Sequence, residues 1–544
     1  MTVSILVVSS LEGRIMRTIW LLAGVLAVSA RAMASPNVPF STVFDSTTSF
    51  GGDQMLGPIQ VVVGTGGDVF ANALLDSGNP IIVYSTPIAN TQQFNNQAVA
   101  ETDTPTANLS SGPGFSNFDN LTLAQNSSSS ARVFFAAADA AGEGIVQLDI
   151  TGGSPTLSNV AFDGTGSYSF SGISNPDGSL TLQADASGQA LFPANTSSSS
   201  SPVMVRGNAA SFPSPAQVFT PTSSATLADV TYREGLGNES PPPTAVAQLN
   251  VSGSQGVYLL SGATETKISG SLAPPFPGIP TPGGSMVMGY TSTGTLNAAL
   301  LLGEGTAGYP TQNVVLVKNG GTISSSTTIL EQSATGSEGV LGELSPQGKI
   351  ALYVPNGSSD ANDTIQYADA TATNPTPTVI ASVDTDLSTP AYTREANSNG
   401  TLLPIIKLQD TNFGSWVPEV NDAGTIVFTA DVYDASLSSE EQALLEWTPA
   451  DAGSSPTVLL ETGQPADLDG TPSASVVDSF TLNSLVQESD FYKNALSDDN
   501  YVGVGVFYDD GSSAVLVTAA VPEPASMALI SIAGLGLLAR RRRI

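Results

Sequence analysis

The sequence predicts an all-β chain whose body is a β-propeller-like repeat of about seven or eight blades. Three observations predict it. Residues 36–520 contain no long stretch of helical periodicity; short apolar runs alternate there with clusters of Gly, Ser, Asn, Asp and Pro. A phrase made of a polar turn with glycine, then an alternating apolar strand, recurs along the body. A second phrase, a short strand ending at Glu, follows several copies of the first. Their alternation sets a unit of about 40 to 75 residues, the size of a four-stranded blade with its loops. A β-solenoid or tandem β-sandwiches would leave similar local signals and form the alternative.

Taken in order, the chain opens on an address. Arg17 supplies a short positive region, Ile19 to Ala30 is apolar, and Ala32-Met33-Ala34 puts small residues, Ala32 and Ala34, where a signal peptidase reads them. Residues 1–34 are therefore expected to be a secretory signal peptide cut after Ala34, with Met16 as an alternative start. The apolar run is too short for a permanent span.

Residues 35–520 form the repeat body. The clearest copy of the first phrase is Asn421-Asp422-Ala423-Gly424-Thr425-Ile426-Val427-Phe428. Ser345-Pro346-Gln347-Gly348-Lys349-Ile350-Ala351-Leu352 and Asp185-Ala186-Ser187-Gly188-Gln189-Ala190-Leu191-Phe192 are further copies, and 64–74, 250–260, 291–301 and 496–507 are looser ones. Asn or Asp closes such a turn with its side chain, Gly takes a positive φ, and Val, Ile or Phe enter a core. The second phrase is Thr457-Val458-Leu459-Leu460-Glu461, with relatives at 230–235 and 391–395. Residues 440–447 are the best candidate for a short helix and suit a strand equally. Serine runs and the Pro-rich stretch 274–282 read as exposed loops.

Composition narrows the chemistry. The 544 residues carry a formal charge of −32 with only 12% charged residues, so much of the polar surface must come from Ser, Thr, Asn and Gln. Seven of the 16 basic residues lie at the ends; the body keeps nine against about 46 acidic ones. That surface repels nucleic acid and anionic lipid and favours divalent cations or basic partners. There is no Cys and no His. Disulfides, Ser-His-Asp and Cys-His triads, and Cys- or His-ligated zinc, copper, haem and iron–sulfur sites are excluded.

Carboxylates remain. Leu74-Leu75-Asp76-Ser77-Gly78 has the form of an aspartic-protease phrase, but that chemistry needs a second copy and none is present, so a turn is expected. Asp467 and Asp469, Asp498 and Asp499, and Asp509 and Asp510 offer oxygen ligands suited to calcium, without the spacing of a twelve-residue loop. No other cofactor is expected. Glu234, Glu395, Glu446 and Glu461 are nominal candidates for the carboxylate pair of a glycosidase. Asn-x-Ser/Thr patterns such as Asn108, Asn195 and Asn356 permit glycosylation without establishing it.

The chain closes on a second address, 521–544. It reads Val521-Pro522-Glu523-Pro524, then an apolar stretch from Met527 to Ala539 expected to be a short hydrophobic helix, then Arg540, Arg541, Arg542 and Arg543. From Ala525 to Ala539 a helix covers about 22 Å, short of the ~30 Å hydrocarbon core, and the arginines belong on the cytoplasmic side. The order and place of these pieces resemble the PEP-CTERM sorting signal. The resemblance implies export, transient inner-membrane anchoring, removal of the tail by an exosortase-type membrane transpeptidase, and delivery to the surface or the medium. Residues 415–520 resemble the tandem-repeat body of many such proteins, a family without a settled activity. The expectation is thus a non-enzymatic surface or matrix protein associated with exopolysaccharide or biofilm. The alternative is a carbohydrate-binding or carbohydrate-active propeller.

Overall fold

The structure is a computed structural model that describes residues 40–518 apart from several connecting loops, the longest being 102–114, 170–181, 230–243, 268–284, 384–395 and 482–494. The described residues form eight sheets in chain order. The first contains Asp53–Val63, Val69–Leu75, Pro80–Pro87 and Phe94–Glu101, with Ser49–Phe50 at its edge. The second is Asn117–Ser127, Ser130–Asp139, Gly142–Thr151 and Ser154–Phe162. Sheets three to six are likewise antiparallel and built from successive strands. Sheet six, for example, runs Leu341–Leu344, Lys349–Val354, Thr364–Asp369 and Thr378–Ser382. In sheet seven the first position is split between Ile405–Lys407 and Glu419–Val420, both paired to Ile426–Asp434. Ser439–Trp447 and Thr457–Glu461 follow. Residues 440–447 thus resolve to strand, because alternate side chains enter two different cores.

Each apolar cluster lies between one sheet and the next. Val62, Phe70 and Ile82 of sheet one meet Leu121, Val133 and Phe135 of sheet two, while Val61, Val63 and Ala71 face the other way. In sheet six, Ala351 and Tyr353 turn toward sheet seven, and Ile350 and Leu352 toward sheet five. Strands buried on both faces read as continuous apolar runs rather than clean alternation, since period-2 geometry sends neighbours to opposite cores. This is face-to-face stacking of blades.

The stack returns on itself. Gly503–Tyr508 and Ser513–Thr518 of sheet eight pack against Asp53–Val63 of sheet one. The first strand, Phe40–Asp45, does not join sheet one. It runs antiparallel to Ser513–Thr518, with Phe40 opposite Thr518 and Asp45 opposite Ala514. The same strand touches Pro465–Leu468 in parallel at Phe40 and Leu468, curling sheet eight closed. Where sheets eight and one meet, glycine is required. A Cβ on Gly505 would fall 2.5 Å from Cγ of Pro58, and one on Gly57 2.7 Å from the Phe507 ring. The result is an eight-bladed propeller-like ring closed by its two ends, within the sequence expectation of seven or eight. Contact between first and last sheets removes the solenoid and the chain of sandwiches.

Candidate functional site

The repeated phrase builds one local structure. In the turn 421–425 the Asn421 N–H donates to the Thr425 carbonyl at 3.1 Å, and the Gly424 N–H donates to the Asn421 carbonyl at 3.0 Å. The same pair of bonds closes 64–68, 345–349 and 497–501. The fourth residue must be left-handed: φ is +82° at Gly67, +82° at Gly348, +89° at Gly424 and +64° at Asn500. This is a three-residue hairpin loop with a bulge residue at positive φ, which selects Gly or Asn.

The four turns lie on one end of the ring and cap one another. The Asp422 carboxylate accepts the Gln347 N–H at 2.9 Å, from sheet seven to sheet six. Asp498 accepts the Asp422 N–H at 3.2 Å, and Asp499 accepts the Gly66 N–H at 3.1 Å, carrying the chain of contacts through sheet eight to sheet one. Buried Asn421 takes the N–H groups of Ala423 and Thr425 on Oδ1 and donates Nδ2 to the Ser497 carbonyl at 2.9 Å and Asn500 Oδ1 at 2.7 Å. One step along the first strands, Glu343 accepts the Val420 N–H and Glu419 accepts the Leu496 N–H. Each bond satisfies a backbone donor that the split strands leave open.

The calcium candidates divide accordingly. Asp498 and Asp499 belong to this belt of turns. Asp509 and Asp510 lie at the opposite end of sheet eight, in the turn 508–512. There Asp509 accepts the Val476 N–H, and Asp510 accepts Ser475 Oγ at 2.6 Å and the Ser512 N–H at 2.8 Å. Those bonds, the Ser475 hydroxyl first, hold the Asp510 carboxyl down to about 2. Asp467 lies on Pro465–Leu468 and Asp469 lies outside the described residues. Among the described residues no three acidic side chains converge as metal ligands.

Asp76 sits in an exposed turn, where its N–H donates to the Gln54 carbonyl and Gly78 takes φ +82°. Glu446 pairs with Thr457 and Glu461 with Ala443, so these two glutamates stand at different ends of one strand pair. Glu234 and Glu395 lie outside the described residues, as do Ala32, Ala34, Val521, Pro522, Glu523, Pro524 and the four terminal arginines. One carboxyl is shifted at the belt itself. Burial pushes Asp68 up to about 6, while the Tyr84 hydroxyl, donating at 3.4 Å, offsets part of that rise.

Two features carry little or no signal in the sequence. Asn117–Ser127 and Ser130–Asp139 form the equivalent hairpin of sheet two, but residues 126–135 hold no glycine, so the repeated phrase is not visible there. Gln60 bridges sheets one and two, accepting the Leu121 N–H at 2.9 Å and donating to the Leu121 carbonyl at 3.0 Å. Its only signal is a buried-type position held by an amide between Ile59 and Val61.

Residues 520–543 match the family described as the PEP-CTERM protein-sorting motif. The chain is therefore an exported protein with a C-terminal sorting signal for exosortase-type processing. No curated protein sequence matches it. Among the solved structures that are similar at low level are the following three. One comes from a structural and mechanistic analysis of two prolyl endopeptidases, with 11% identity, a TM-score of 0.38, and coverage of 73% of this chain and 51% of that one. The second is prolyl oligopeptidase B from Galerina marginata, with 9% identity, a TM-score of 0.36, and coverage of 75% and 48%. The third is a mutant of the Aleuria aurantia lectin in complex with α-methyl-L-fucoside, with 13% identity, a TM-score of 0.28, and coverage of 66% and 97%. The chain spans about half the length of the two peptidases it matches. No TM-score here reaches 0.5, and none of these likenesses bears on ligand or reaction.

Proposed function

We propose that the chain is a non-enzymatic propeller of the cell surface or extracellular matrix, delivered by its tail and held there by exopolysaccharide. The observation that carries this reading is the position of the sorting motif. It begins at residue 520, directly after Ser513–Thr518, the last strand of the closed ring. Processing at the motif leaves every sheet whole, so the delivered product is the folded body. The absence of His and Cys supports a binding or structural role over catalysis. So does the use of the belt carboxylates as caps for backbone donors. The acidic body favours a partner that is neutral or bridged by cations such as calcium over nucleic acid.

The test is co-sedimentation of the purified exported protein with exopolysaccharide from the native host, with and without calcium, alongside an assay for new reducing ends. Retention of the intact polymer supports the proposal. Release of reducing ends would replace it with a carbohydrate-active propeller. Equal recovery in the supernatant with and without polymer would remove the polysaccharide role.

A further inference from the structure

We propose that the junction of sheets six and seven, at the end of the ring that carries the turn 421–425, is a subsite for one neutral hexose unit of a polysaccharide. The inference rests on the polysaccharide reading and gives it a place on the molecule. Tyr367 of sheet six lies opposite Ala351 and packs with it against the core shared with sheet seven. Its ring meets the Trp447 ring of sheet seven at 5.3 Å with a tilt of 48°. Its tip reaches the turn: a Cβ on Gly424 would fall 3.2 Å from the Tyr367 hydroxyl and from its Cε2. Trp447 is buried and Tyr367 only half-buried, so the tyrosine is the member of the pair that meets solvent.

The polar groups around this tyrosine are only partly engaged. Lys349 Nζ donates to Asp369 Oδ2 at 2.7 Å, with the two side chains 21% and 32% exposed, which leaves the other ammonium N–H groups open. Asp369 Oδ1 takes the N–H and the hydroxyl of Thr371. Burial raises the Tyr367 hydroxyl above its usual value and Lys349 beside it offsets part of that rise, so the group stays protonated. Among the described residues that hydroxyl meets no hydrogen-bond partner. Neither does the buried Nε1 of Trp447, a donor that ordinarily finds one. The open groups are therefore mainly donors, and they call for acceptor oxygens rather than a cation. Charge works against an anion, since Asp369 and Asp422 both act on the single amine of Lys349 and leave the junction net negative. A neutral sugar meets both conditions. Its hydroxyls accept from the open donors while its C–H face lies on the phenol ring, the usual pairing of an apolar wall with a few placed polar groups. Docking that shifts Tyr367 also brings an acceptor to the Trp447 N–H.

Beyond the expected signal peptide the chain holds two tryptophans, Trp416 and Trp447, so Trp416→Phe makes Trp447 the one indole reporter of the exported protein. This parent is titrated with oligosaccharides from partial hydrolysis of the native host's exopolysaccharide, separated by anion exchange into neutral and acidic fractions. The neutral fraction should change the Trp447 emission saturably. Tyr367→Phe should weaken that binding several-fold, Lys349→Met should do the same, and Tyr367→Ala should weaken it further, each with the circular dichroism of the parent. Tyr367→Phe keeps the ring and its packing, so it carries the test even where the alanine variant does not fold. Equal affinity in the parent, Tyr367→Phe and Lys349→Met would overturn the subsite and leave the polysaccharide reading standing. Tighter binding of the acidic fraction would overturn the neutral ligand. No response to either fraction, with the intact polymer still co-sedimenting, would also overturn the subsite alone. No response together with no co-sedimentation would remove the polysaccharide reading and the subsite with it.

Discussion

Asp68 shows how a single residue of the belt can limit the ring it belongs to. It ends the turn 64–68, where its carbonyl accepts the Gly64 N–H, and its carboxyl is carried partly under the sheet. Burial raises it from an ordinary 3.8 to about 6. The folded chain therefore holds a proton that the unfolded chain has already released. Its contribution to stability is greatest below the unfolded value, falls as pH rises through the interval to about 6, and is flat beyond. Asp68→Asn keeps an oxygen for the Tyr84 hydroxyl and removes the charge. Above pH 6 the variant should be more stable by on the order of 1 kcal/mol, allowing for solvent screening of this part-exposed group. Below the unfolded value it should equal wild type; denaturant midpoints across the pH range check this. Gly424 makes the opposite point. With φ at +89° and Cγ of Pro449 2.9 Å from where a Cβ would sit, only glycine fits.

At the scale of elements, the closing strand is the vulnerable part. Phe40–Asp45 contributes Val43 and Phe44 to the core shared with sheet one and Phe40 to the core shared with sheet seven. Phe44 is 2% exposed and meets Phe50 edge-on at 5.7 Å. Phe44→Asp would put an unpaired carboxylate at the last joint of the ring. The expected loss is more than about 4 kcal/mol, combining a lost aromatic with a buried charge. Limited proteolysis should then cut first near sheets eight and one, with sheets two and six protected longer. Uniform cleavage along the chain would show that the joint is not where the ring opens. The helix-or-strand ambiguity of 440–447 also settles at this scale. Ala443 and Leu445 enter the core shared with sheet six while Leu444 enters that shared with sheet eight, a division that period 2 allows.

For the whole molecule, the C-terminal sorting motif is separable from the body. The ring begins at Phe40, after the expected cut at Ala34, and ends at Thr518, before the motif at 520–543. A chain ending at Thr518 should therefore unfold at the same denaturant midpoint as the longer exported chain. One ending at Ser512 loses the partner of Phe40–Asp45 and should unfold without a single cooperative transition. Circular dichroism and denaturant titration of the two truncations would check this, and a lowered midpoint for the first would place part of the fold in the tail.

The sequence by itself determined what is local. Strand identity follows from period-2 apolar runs, turn identity from Gly or Asn where φ must be positive, and destination from the contiguous motif at 520–543. These were legible because each depends on residues within a few positions of one another. The tertiary structure alone decided the count of eight sheets, the closure of the ring and the role of the belt carboxylates. Asp422 read as a turn former and also caps Gln347; Asp498 and Asp499, offered by the sequence as calcium candidates, cap Asp422 and Gly66. Phe40–Asp45 gave no sign that its partner would be Ser513–Thr518, at the far end of the chain. Such pairings depend on which surfaces remain unburied after every other sheet has stacked, and no local pattern encodes that remainder.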